Sequence, residues 1–172
     1  SIYWTLGNDA GCGNNRISVT STSVVGTTTL CATALPAPPD RILIGSGNNQ
    51  RVEAGAVAPE PLKVWVSDGC NGTAGASITF AVTGGSGTFE TEGVTIIDGS
   101  PVVTVETTET GHAEVPFRLG HEPGNHVVEA TFSGNAGRPA TFVSFAVVRQ
   151  EDQPTSFSGL VVDNSQQPIG GA

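Results

Sequence analysis

A chain of 172 residues holds one large or two small domains, and 37% hydrophobic with 13% charged residues supports a core and excludes general disorder. A net charge of −9, with Lys63 and six arginines as its basic groups, leaves no basic stripe and excludes nucleic acid or an anionic membrane surface as partner. No apolar run reaches transmembrane length, so this segment is not expected to insert into a membrane.

The 23 glycines and 11 prolines, with many Thr, Ser and Val, favour short strands and tight turns, and no window has helical periodicity. The expected class is all-β. The chain opens at Ser1 without a leader pattern and contains no Met, which suggests a processed product or a piece of a longer protein.

In chain order, Ile2–Leu6 (IYWTL) reads as the end of a strand, and Gly7–Asn15 as a Gly/Asn/Asp loop containing Cys12. Arg16–Thr22 and Thr27–Ala34 form an expected hairpin. Pro36, Pro38 and Pro39 make a stiff extended connector. Arg41–Gly45 opens a central unit, and Asn48–Glu60 is an irregular polar approach to it.

The clearest pattern is Pro61–Val82. Leu62, Val64 and Val66 alternate with Lys63, Trp65 and Ser67. Beyond a polar turn, Ile78, Phe80 and Val82 alternate with Ser77, Thr79 and Ala81. Period two predicts two half-buried strands facing each other, with Lys63, Trp65 and Ser67 directed outward. Weaker strands follow at 88–97 and 102–106. Ala113, Val115, Phe117 and Leu119 share one face, with Pro116 opposite them marking an edge or bulge. Val128, Ala130 and Phe132 alternate inward, and Thr141–Val148 is the last strand. About 110 residues with strands at this spacing fit a two-sheet sandwich of the immunoglobulin type.

An internal repeat accompanies this pattern. FRLGHEPGNHVVEATFSG from Phe117 aligns with YWTLGNDAGCGNNRISVTSTS from Tyr3. Leu6 matches Leu119, Gly7 matches Gly120, Gly13 and Asn14 match Gly124 and Asn125, and Thr20 matches Thr131. The first copy carries two extra residues around Gly11 and Cys12. The expected division is 1–38 as the C-terminal part of a preceding repeat, 39–150 as a full sandwich, and 151–172 as a linker with the first strand of another.

Residues 41–148 resemble the bacterial Ig-like domain of group 1, the invasin/intimin type. The resemblance is carried by GNNQRVEAG, PLKVWVSDGCNG, GASITFAVTGGSG, TTETGHAEVPFRLG and GNHVVEATFSG. The family's D-x-x-G-N-P-V-x-G turn here lacks its Pro and contains Cys70. TSFSGLVVDNSQQPIGGA from Thr155 resembles the first strand and turn of a carboxypeptidase-regulatory-like β-sandwich.

Chemistry-bearing residues are sparse. No nucleophile elbow exists, since Gly45-Ser-Gly47 and Gly85-Ser-Gly87 read as loops, and no helix or Lys follows Gly84–Gly87 to make a phosphate cradle. His112 and His121 flank one strand run at roughly 3.3 Å per residue, at opposite ends of the sandwich. His121, Glu122 and His126 share a loop, for which a plain surface loop is the simpler reading than a metal site. Neither a catalytic residue, a metal site nor a cofactor is expected. Trp65 is read as an outer-face packing contact with a neighbouring domain in preference to a sugar platform. Lys63 with Asn125 is the sole conceivable isopeptide pair, and Asn71-Gly-Thr73 is a glycosylation sequon.

Cys12, Cys31 and Cys70 leave one thiol over from any single disulfide. In an Ig-type tandem, the loop containing Cys12 and the turn containing Cys70 meet at one junction, so Cys12–Cys70 is the favoured pairing. Cys12–Cys31 and three free thiols remain the alternatives.

The resemblance implies a non-enzymatic structural or adhesive segment of an extracellular, cell-surface protein: a stalk, adhesin or filament scaffold. Its partners would be neighbouring Ig-like domains and a cell-surface or glycan receptor. The alternatives are an accessory binding module of a secreted polysaccharide-active enzyme and a filament subunit completed by strand addition.

Overall fold

The computed structural model describes residues 3–23 and 25–148, and for Cys12 and Gly13 the backbone alone. The C-terminal segment that carries the carboxypeptidase-regulatory-like pattern lies outside the described residues. Every regular element among them is a strand. The hairpin of β1 (Gly11–Thr20) and β2 (Thr27–Ala34) forms a two-stranded sheet of its own. Then come β3 (Arg41–Ser46), β4 (Gln50–Glu53), β5 (Leu62–Ser67), β6 (Ser77–Gly84) and β7 (Gly87–Phe89). They are followed by β8 (Thr95–Ile97), β9 (Ser100–Glu106), β10 (His112–Val115), β11 (Phe117–Leu119), β12 (Gly124–Thr131) and β13 (Ala140–Val147).

These later strands build an immunoglobulin-like sandwich. One layer is a six-stranded sheet in the order β4-β13-β12-β6-β9-β8. The other combines β10-β5-β3 with the short pair β11-β7. All pairings are antiparallel except β4 with β13. Alternation decides which side chains enter the core. Leu62, Val64, Val66, Ala113 and Val115 come from one layer, and Ile78, Phe80, Val103, Val128, Ala130 and Phe142 from the other. Phe89 bridges the aromatic cluster, 6.4 Å from Phe80 and 5.6 Å from Phe117 between ring centroids. Phe80, Phe117 and Phe142 are all fully buried, and burial of each such side chain is worth about 1.5–3 kcal/mol.

The two strands of Pro61–Val82 face each other across this core and do not hydrogen-bond. β5 has both edges occupied by β3 and β10, and β6 by β9 and β12. The polar turn between them carries the chain from one sheet to the other. Ser67, expected outward, is fully buried, and its hydroxyl accepts the Gly69 N–H at 3.2 Å. Pro116 falls at the break where the chain leaves β5 as partner and takes β7, since proline has no N–H for the ladder.

Two expectations are corrected. Tyr3–Leu6 is not a strand, and β1 begins at Gly11, inside the stretch read as a loop. A register shift between Gly11 and Asn15 admits these weak β-formers into the ladder. The supposedly irregular approach at 48–60 contains β4, which holds one apolar residue, Val52, and gives no periodic signal. Side chains fix it instead: Asn48 Oδ1 accepts the Val143 N–H at 2.8 Å, and Gln50 Nε2 donates to Gly47 O and Glu60 O, each at 2.8 Å.

Candidate functional site

The densest polar constellation lies in the turn after β5, where three separate segments converge. Asp68 Oδ1 accepts the backbone N–H groups of Cys70 at 2.9 Å and Asn71 at 2.6 Å, the local closure that makes Asp a turn former. Asp68 Oδ2 accepts from Asn71 Nδ2 at 3.0 Å and from the Ala37 N–H of the connector at 2.9 Å. Asn71 then reaches toward the first hairpin. Its Oδ1 accepts the Ala10 N–H at 2.9 Å, and its Nδ2 donates to Asn8 O at 3.0 Å. These donors, those of Asn71 first, hold the Asp68 carboxyl far below its ordinary value of 3.8.

Two glycines let the turn close. Gly69 has φ of 96°, and a Cβ there would lie 3.0 Å from the Arg41 guanidinium carbon. At Gly72 a Cβ would collide with the Thr110 carbonyl oxygen and the Trp65 indole nitrogen. The Trp65 ring is therefore half-buried against the 110–111 turn, with Nε1–H donating to Thr110 O at 3.1 Å. The ring thus packs within its own sandwich, where a contact with a neighbouring domain was expected.

The turn containing Cys70 thus meets residues 8–10, the stretch before β1, through Asn71. Cys70 is an exposed free thiol, as is Cys31, and the Cys12 side chain lies outside the described residues. Cys70 forms no disulfide in this structure, and the contact to residues 8–10 is made by the Asn71 amide. Asn71 also opens the glycosylation sequon, and its Nδ2, the atom a glycan would occupy, is already engaged.

The remaining candidates are dispersed. His126 is only 2% exposed, accepts the Ser86 N–H on Nδ1 at 3.0 Å, and sits 3.0 Å from Glu122 O through Nε2. That pairing fixes the neutral ring with its proton on Nε2. His121 and the Glu122 side chain stay exposed, and among the described residues no group of three His, Cys, Asp or Glu is placed to hold a metal ion. His112 faces Thr110 Oγ1 at 3.0 Å. Lys63 pairs with Glu114 at 3.0 Å on the outer face, while Asn125 lies in the other sheet opposite Phe145. The conceived isopeptide pair is not brought together. Sequence reasoning singled out Asn71 only as a sequon, although Asp68-x-x-Asn71 was visible as a turn signal.

No protein-family model matches the chain, and no curated protein matches it. Among solved structures it is similar to the D0-D1 domain of intimin, at 13% identity and a TM-score of 0.42 over 63% of this chain and 49% of that one. It is similar to the D00-D0 domain of intimin at 14% identity and a TM-score of 0.42, over 69% and 56%. A third likeness is to domains 1-6 of the surface layer protein SbsC, at 13% identity and a TM-score of 0.39, over 84% and 19%. The chain spans about half the length of the intimin structures it matches. Its immunoglobulin-like class rests on its own strand order. No helix of the described residues is long and apolar enough to cross a membrane.

Proposed function

We propose that the chain is a non-enzymatic structural or adhesive segment of an extracellular multi-domain surface protein, with 1–38 the tail of one Ig-like repeat and 39–150 the next. The observation that carries this reading is the second appearance of one hairpin. The repeat aligns β1 with β12, so the cross-strand pair Ile17–Leu30 stands where Val128–Phe142 stands in the sandwich. Val128 and Phe142 are each 1% exposed, whereas Leu30 is 53% exposed. A hairpin patterned for a core, with Ile17 half-buried and Leu30 left exposed, fits a repeat whose other strands belong to a neighbouring segment. The function is then mechanical: sandwiches in series hold a binding surface away from the cell. The reading does not rest on the likenesses to intimin and SbsC.

The intact mass of the native polypeptide tests it. A mass far above 17.5 kDa, with further Ig-like units in the added sequence, supports the array. A discrete monomer of that mass contradicts it.

A further inference from the structure

We propose that Asp68 and Asn71 are positioning residues of an articulation that fixes the orientation of the β1–β2 hairpin against the sandwich. The connector leaves β2 at Ala34 and enters β3 at Arg41. Within Pro36-Ala-Pro-Pro39 the prolines carry no N–H, so Ala37 supplies the single backbone donor of that stretch. That donor is spent on Asp68 Oδ2. The next anchors lie immediately downstream: Asp40 N–H donates to Ser67 O at 3.1 Å, and Asp40 O accepts from Ala136 N–H at 2.8 Å. The connector is therefore stiffened by proline, pinned at its middle by Asp68, and pinned at its end by β5 and the loop between β12 and β13.

A pinned connector alone would still permit rotation about Leu35 and Pro36. Asn71 removes that freedom by holding the other side of the hairpin unit, at Asn8 O and the Ala10 N–H. Connector and loop are far apart in sequence, and two attachments at different points define an orientation where one defines only a position. Both lead to a single carboxylate, because Asp68 also orients the Asn71 amide through Oδ2. Relative motion is the default for domains joined by a small interface, and these bonds are what oppose it here. The clamp concerns two units within these 172 residues and holds or fails independently of the proposed array.

Pulsed electron–electron resonance on the full chain tests the clamp. One spin label goes on Cys31 in β2 and the other on Thr141→Cys, exposed in β13, with Cys12→Ser and Cys70→Ser to prevent stray labelling. The parent should give one narrow distance distribution. Asn71→Ala should broaden it about twofold or more, the free motion expected of domains without a restraining interface. Ala10→Pro, which deletes the N–H on the hairpin side and leaves the sandwich intact, should broaden it similarly without moving the sandwich's thermal transition. A distribution already broad in the parent, or unchanged widths in Ala10→Pro, would overturn the proposal.

Discussion

Two antiparallel hairpins of the molecule stand in different environments. β12 and β13 lie within a six-stranded sheet, with Val128, Ala130, Phe142 and Ala146 buried in the core. β1 and β2 have the same antiparallel pairing and a comparable length, yet Val19 is 51% and Leu30 53% exposed. The hydrogen-bonded ladder is therefore not what separates them. The difference is the apolar area each removes from water, and a lone two-stranded ribbon is at best marginal without it. Strand sequence can specify a hairpin locally, while its stability is supplied from outside.

The largest expected effect breaks this comparison at its core position. Phe142→Ala should destabilise the sandwich by about 3–5 kcal/mol through lost burial and a cavity, whereas Leu30→Ala should stay within about 0.5 kcal/mol. Urea unfolding followed by Trp fluorescence and circular dichroism measures both, and equal effects would show that the hairpins share one environment.

A second pair sharpens it at the polar end. The alignment places Asn15 where His126 stands, and each ties its strand to the loop before it: Gly7 N–H donates to Asn15 Oδ1 at 2.9 Å. His126→Ala removes a buried ring that holds the part-buried Ser86 N–H and Glu122 carbonyl, and should cost about 1–3 kcal/mol. Asn15→Ala removes an exposed bond, which water replaces, and its effect should be below about 0.5 kcal/mol.

The smallest effect concerns acidity. The Asp68 carboxyl is depressed in the folded chain, so its contribution is fully present above the ordinary value of 3.8 and is lost only as pH falls below it. The Ala37 and Asn71 amide chemical shifts should therefore hold constant from neutral pH down to about pH 4. A midpoint near pH 6 in either shift would show that another group controls the junction.

The sandwich was legible because its strands obey period two with one apolar face, and Pro116 marked its own break. What escaped reading depended on distant partners. β4 is set by Asn48 and Gln50 bonding to β13 and Glu60, so its own four residues carry no signature. Ser67 follows the outward phase of β5 but is enclosed where the turn folds back over the strand end. At the turn after β5, the sequence drew attention to Cys70, while the contact with residues 8–10 is made by its neighbour Asn71. That contact depends on the Asp68 carboxylate orienting the Asn71 amide, which residue order alone does not reveal.

Native-state amide hydrogen exchange on the dilute monomer tests the central contrast directly. Amides of Ile78–Val82 and Val127–Ala130 should exchange only through global unfolding of the sandwich, and those of Arg16–Thr20 should exchange faster by orders of magnitude through local opening. Equal protection at Arg16–Thr20 and Ile78–Val82 would contradict the account, because the first hairpin would then possess a stability of its own that its exposed face does not provide.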